Sequence, residues 1–279
     1  MVLLCQLSLF CASTDILVVY TTDMEFIDTH AHLDDTRFDS DRTEVIARAI
    51  KQGIRQVIVP AIHAAGWERL KQLCLQHKEL SAAYGLHPMF MKQHRQQHVD
   101  ELAKWLEHGN PVAVGECGLD FYIPEPDKTA QLWLFEAQLE LASHYQLPVI
   151  IHARKSVEQV INTVCRFPTL TGVLHSFSGS QQQAERLIDM GFMLGFGGPV
   201  TYSKAHRLHA LVKWLPLTAL LLETDSPDQP DSTHHGERNE PAYIQEIVEV
   251  ICSIREISKA QLAEVTSRNA RQLFNLTAI

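Results

Sequence analysis

From residue 24 onward, short apolar runs alternate with longer stretches in which apolar residues recur every third or fourth position. Eight of the short runs read as strands: 26–28, 56–60, 82–86, 112–115, 149–151, 172–174, 192–195 and 219–222. They are apolar on both faces, which suits parallel strands covered by helices. The stretches between them are amphipathic helices. In the helix expected over 40–51, Val45, Ile46, Ala49 and Ile50 share a face; Ser40 is its expected cap, and Gly53 lies just past its end. Later faces are Trp67/Leu70/Leu73, Val99/Leu102/Ala103/Leu106 (stopped by Gly109), Leu132/Phe135/Leu139/Ala142 and Val157/Val160/Ile161/Val164. Ala184/Leu187/Ile188, Leu208/Leu211/Val212/Leu215 and Ile244/Ile247/Val248/Ile251 complete the series. Ser258 and Gln261 spell a capping box for one more helix at the end. Eight strand-then-helix units predict an α/β protein of the (β/α)8 TIM-barrel class, with an open doubly wound sheet as the rival.

Residues 1–23 break this rhythm. They contain no Lys or Arg, and their apolar runs, 2–10 and 16–20, are short. The short apolar core and the small residues at Cys11-Ala12-Ser13 resemble a signal peptide, but the positive leading region is missing and neither run could span a bilayer. The expectation is an extension ahead of a natural start near Met24, followed by a single barrel domain over 24–279. An export signal and an ordered extra segment are the alternatives.

Composition changes the picture in two places. Hydrophobic residues make up 46%, charged residues 20% and aromatics 8%, which excludes a disordered or collagen-like chain. The net charge of −9 writes no basic groove for nucleic acid into the surface, although bound cations could supply positive charge locally. The six cysteines form no CxxC pair, which argues against a thiolate zinc cluster; they read as reduced thiols of a cytoplasmic protein. Neither a membrane span nor an obligate protein partner is evident. Histidine is the anomaly: 15 in 279 residues point to metal chemistry. Some have a plainer reading: His94, His98, His108, His206 and His209 sit among polar neighbours and read as surface residues.

In a barrel, reactive side chains gather at the C-terminal ends of the strands. The first strand runs into Asp28-Thr29-His30-Ala31-His32, and residues two apart in an extended segment face the same way. The fourth strand leads into Gly115-Glu116-Cys117-Gly118-Leu119-Asp120, the fifth into His152-Ala153-Arg154, the sixth into His175-Ser176-Phe177-Ser178-Gly179 and the eighth into Glu223-Thr224-Asp225-Ser226-Pro227. A single histidine at a strand end is unremarkable. Together, His30, His32, Glu116, His152, His175 and Asp225 are more donors than one four-coordinate ion needs. Imidazoles and carboxylates suit zinc, manganese or magnesium, and a carboxylate such as Glu116 can bridge two ions.

Taken in order, HxH, GECGLD, HAR, HSFSG, ETDSP and RNEP make the chain resemble the TatD family of metal-dependent deoxyribonucleases, most closely the YjjV-type subgroup. The resemblance implies an amidohydrolase-like barrel that cleaves DNA from an end, with two divalent metal ions. His30 and His32 would bind one ion, His152 and His175 the other, and Glu116 would bridge them. Asp225 would complete the first set and act as general base. One departure stands out: where many members read GxHPH, this chain has Gly85-Leu86-His87-Pro88-Met89, so the second histidine and any role it has are absent.

Other residues carry weaker expectations. His87 could stand beside the substrate or steady a ligand, or simply anchor its loop. Arg154 could hold a phosphate bidentately, or form a structural ion pair. Arg238 and Asn239 could contact substrate, or fix their loop. Glu223 is expected to orient a ligand histidine. His234-His235 could bind metal but reads as exposed loop polarity, and Gly195-Phe196-Gly197-Gly198 as room near the seventh strand rather than a phosphate loop. The tryptophans on helices read as core. The rival functions are a two-metal hydrolase of a small phosphoester, amide or lactone, and a non-catalytic binding barrel stabilised by metal.

Overall fold

The computed structural model describes residues 24–277; the expectations for 1–23 fall outside these described residues. The strands are β1 (Phe26–Asp28), β2 (Ile54–Pro60), β3 (Leu80–Tyr84), β4 (Ala113–Asp120), β5 (Val149–Arg154), β6 (Gly172–Leu174), β7 (Phe192–Phe196) and β8 (Leu220–Leu222). They lie side by side in chain order and every adjacent pair is parallel. Beyond the strand ends β1 meets β8: Thr29 N–H donates to the Leu222 carbonyl at 3.0 Å, and Asp225 N–H to the His30 carbonyl at 2.8 Å. The sheet is a nearly closed (β/α)8 barrel, not an open one.

Alternation along the strands makes two apolar layers. Ile27, Ile58, Ala83, Ala113, Ile150, Val173 and Leu221 form one cluster, to which β7 adds the half-buried Met193. One residue from each strand makes this the filling of the barrel, with the small Ala83 and Ala113 letting it close tightly. The alternate positions, among them Phe26, Val57, Val149, Leu174 and Leu222, pack outward on the helices. Burying each large aliphatic side chain contributes roughly 1.5–3 kcal/mol.

The helices are α1 (Arg42–Lys51), α2 (Trp67–Gln76), α3 (Gln97–His108), α4 (Lys128–Tyr145), α5 (Val157–Val164), α6 (Gln181–Asp189), α7 (His206–Trp214), α8 (Ile244–Arg255) and α9 (Lys259–Phe274). Their buried faces follow the apolar spacing, for instance Trp67, Leu70 and Leu73 in α2. The Ser258–Gln261 capping box opens α9 as its sequence implies. The other end of α9 brings Ala270, Leu273 and Phe274 onto the barrel filling and stops one end of it.

Three local expectations are corrected. Asp41, not Ser40, precedes α1, and its side chain makes no cap bond because Arg238 and Arg48 hold its carboxylate. Trp133 is exposed on α4, whereas Trp67 is fully buried with its indole N–H on the Gly85 carbonyl. His94 is buried, and its Nε2–H donates to the His87 carbonyl at 2.8 Å. The most consequential difference is the length of β4. It continues through Glu116 to Asp120 and pairs with β5 as far as Asp120 opposite Arg154. The strand itself therefore carries the carboxylates.

Candidate metal centre

The segment after β1 is pinned before it delivers its histidines. The buried Asp28 carboxylate accepts the His30 N–H at 3.2 Å, and the Thr224 N–H and hydroxyl at 3.0 and 2.6 Å. Thr29 Oγ donates to the Leu222 carbonyl at 3.0 Å. His32 Nδ1–H donates to the Pro60 carbonyl at 3.1 Å, so a neutral His32 turns a bare Nε2 inward. There it lies 3.2 Å from His30 Nε2.

On the opposite wall β4 and β5 come together unusually closely. Gly118 faces His152 with φ +133, and a Cβ there would sit 2.1 Å from the His152 carbonyl oxygen. Only glycine fits. His152 Nε2–H donates to Asp120 Oδ2 at 3.0 Å, leaving Nδ1 turned inward, 3.3 Å from His175 Nε2. His175 stacks on His30 with ring centroids 3.9 Å apart.

Glu116, 1% exposed, stands at the centre of these nitrogens. Its two oxygens face different partners. Oε2 lies 3.2 and 3.4 Å from Nε2 of His30 and His32. Oε1 lies 3.0 Å from His152 Nδ1 and 2.9 Å from His175 Nε2. Asp225 joins the first group, its Oδ1 3.5 and 3.6 Å from the same His30 and His32 nitrogens. All six predicted donors therefore meet in one place.

The donor chemistry fits cations. Bare imidazole nitrogens within hydrogen-bonding distance of each other repel unless a proton or a metal ion lies between them, and Glu116 Oε2 is buried without a donor. Charge tells the same story. Burial alone would raise Glu116, yet His87, His175 and His30 hold it well below the usual carboxylate range. Burial pulls His175 down, but Glu116 outweighs it and pushes the ring up to about 9. Burial, helped by His175, brings His30 down to about 4. Asp225 is held far below its ordinary value because His32, His175 and His30 outweigh its burial.

Other expected residues are placed as follows. His87 Nδ1 accepts the Met89 N–H at 3.0 Å, so its Nε2–H donates to Glu116 Oε1, also at 3.0 Å. It steadies the central carboxylate. Glu223 is buried against Gly195, where a Cβ would lie 2.1 Å from Glu223 Oε2. It accepts the Ser176 N–H at 2.5 Å and stays 3.8 Å from His175 Nδ1. Its partner is thus a loop amide, not the ligand-type ring it was expected to orient. The glycines of 195–198 do make room, as expected: Gly198 passes the Gln229 carbonyl equally closely. Arg154 is exposed, with its guanidinium 3.9 Å from the Tyr122 ring centroid, in place of an ion pair. It lines a cleft of about 770 Å³ that also contains His32, Glu116, His152, His175 and Asp225. Met89, Phe90, Phe177 and Phe196 give that cleft apolar walls.

Arg238 and Asn239 are committed elsewhere. Arg238 grips Asp41 through both terminal nitrogens at 2.7 Å. Buried Asn239 donates to the carbonyls of Thr224 and Asp228, both at 2.8 Å. Both fix the loop after β8, the second of the two readings their position in the sequence allowed. His234 does not simply project into solvent either: it stacks on Tyr243 and contacts the buried Asp231. Two residues had no role assigned from sequence. Asp120 was legible in principle, four positions beyond Glu116 on an extended strand and hence on its face. Gln229, in the irregular loop after β8, carried no signal.

Comparison with known proteins gives a consistent answer. A family model described as TatD related DNase matches residues 27–275. The Escherichia coli K12 protein named "Uncharacterized metal-dependent hydrolase YjjV" is 38% identical over 254 residues, spanning 90% of this chain and 98% of that one. YabD of Bacillus subtilis, named in the same way, is 33% identical over 251 residues, spanning 89% and 98%. The crystal structure of the E. coli YjjV protein, described as a TatD homologue, superposes with a TM-score of 0.88 at 37% identity, covering 91% of this chain and 99% of that one.

Proposed function

This chain belongs to the TatD-related DNase family and is a metal-dependent hydrolase, and on that footing we propose that it hydrolyses the phosphodiester bonds of DNA, releasing nucleotides from an end. The observation that carries this reading is the division of Glu116, one oxygen toward His30 and His32 and the other toward His152 and His175. His30, His32 and Asp225 would hold one divalent cation, His152 and His175 a second, and Glu116 both. A nitrogen-rich set favours zinc or manganese over magnesium. When bound, the ions supply a water acidified toward neutral pH and positive charge for the phosphoryl oxygens.

The protein's own groups do the rest. Asp225 stays ionised and takes the proton of the attacking water. Glu116, held by His87, fixes the spacing of the two imidazole pairs. Arg154, stacked on Tyr122 at the cleft edge, presents its guanidinium fork to a phosphate. Attraction of DNA is then local to this mouth, in a protein whose total charge is −9.

The test is to incubate zinc- or manganese-loaded protein with single-stranded DNA and with a panel of small phosphoesters, amides and lactones. Nucleotide release that stops on chelation is expected. Turnover of a small substrate with DNA left intact would overturn the DNA assignment.

A further inference from the structure

The backbone after β8 turns sharply at Asp225, where the Asp228 N–H donates to the Asp225 carbonyl at 2.9 Å. The turn brings Gln229 back over the Asp225 side chain. Gln229 Nε2 donates to Asp225 Oδ2, while its Oε1 accepts the Ser176 hydroxyl at 2.8 Å. Asp225 Oδ1 is left facing the His30 and His32 nitrogens. The order of this chain is fixed chemically. An ionised carboxylate only accepts, so it needs the amide N–H₂, and the hydroxyl of Ser176 occupies the amide oxygen. All three residues have left-handed backbone, with φ 46° at Ser176, 57° at Asp225 and 47° at Gln229. Side chains other than glycine meet steric resistance there. Two loops thus hold an uncomfortable conformation while joining at a single carboxylate.

We propose that Gln229, oriented by Ser176, is a positioning residue that sets the plane of the Asp225 carboxylate and keeps Oδ1 turned toward the His30–His32 pair. This rests on the reading of Asp225 as ligand and base. Without the amide the carboxylate can rotate, and both cation binding and proton acceptance lose their geometry.

Gln229→Met keeps length and removes the donor. The expected result is a fall of about 10–100-fold in kcat on a chromogenic bis(nitrophenyl) phosphodiester, with KM within about 2-fold. Zinc affinity, titrated against a chromophoric chelator, should fall as well, while the melting temperature of the zinc-free protein stays near wild type. Ser176→Ala, an independent variant, should shift kcat and zinc affinity the same way by a smaller factor. If Gln229→Met and Ser176→Ala both keep wild-type kcat and zinc affinity while Asp225→Asn abolishes turnover, the role of Gln229 is overturned and that of Asp225 stands. If Asp225→Asn retains turnover, the base reading fails, and undiminished zinc affinity in Gln229→Met then overturns the positioning role too.

Discussion

Asp120 shows how much a single carboxylate outside the donor set can decide. By taking the Nε2–H of His152 it selects the tautomer that leaves Nδ1 bare toward Glu116. Asp120→Asn removes the charge that favours this tautomer and is expected to weaken zinc binding about 10–100-fold. A zinc titration of the folded variant with unchanged affinity would contradict it. A second prediction concerns pH. A histidine must lose its proton before it can bind a metal ion. Glu116 pushes His175 up to about 9 despite burial, so below that pH a proton competes with the cation. Zinc affinity should therefore rise as pH climbs from 6 toward 9, and binding should expel protons. Calorimetry in two buffers of different ionisation heat reads this directly, and identical heats in both would count against it. At this scale the six donors were legible because strand ends are predictable places. Asp120 lies in the same GECGLD motif, but its bond to His152 depends on the pairing of β4 with β5. Gln229 was not legible, and for Arg238 and Asn239 only the loop-fixing role was, since their partners depend on how an irregular loop folds back.

At the scale of elements, apolar periodicity located every strand. The apolar run of β4 stops at Gly115, because Glu116 and Asp120 are polar although both are buried, and the pairing itself continues to Asp120. Burial of a carboxylate depends on partners that only the assembled barrel supplies. The Ser40 cap failed for a similar reason: a long-range ion pair claimed Asp41 and fixed the start of α1. The approach of β7 to β8 gives a prediction. Gly195→Ala drives a methyl group into Glu223 and displaces the carboxyl from the Ser176 amide. Leaving such groups buried and unpaired costs roughly 1–3 kcal/mol, measurable by urea denaturation. Ser258→Ala, remote from the cleft, removes the α9 cap and should cost about 1 kcal/mol. A Gly195→Ala variant as stable as wild type would show that Glu223 has room to move.

For the whole molecule, the described residues include no helix long and apolar enough to cross a membrane. The barrel places its chemistry at one end and the stopper from α9 against the filling below. Cations that bind the folded barrel but not the unfolded chain stabilise it by mass action, about 2.7 kcal/mol at a hundredfold excess over Kd. Melting curves should therefore move upward on adding zinc and downward on chelation. A melting temperature indifferent to both would argue that the cluster takes up no metal.

The seam between β1 and β8 has one more consequence. The contacts that complete the circle, Thr29 to Leu222 and His30 to Asp225, join residues nearly two hundred positions apart and belong to the same segments that present His30, His32 and Asp225. A nascent or clipped chain that has not docked its last strand owns His152, His175 and Glu116 but lacks Asp225 beside the other pair. On the reading of Asp225 as ligand and base, competence for catalysis then arrives only with the final clasp of the ring.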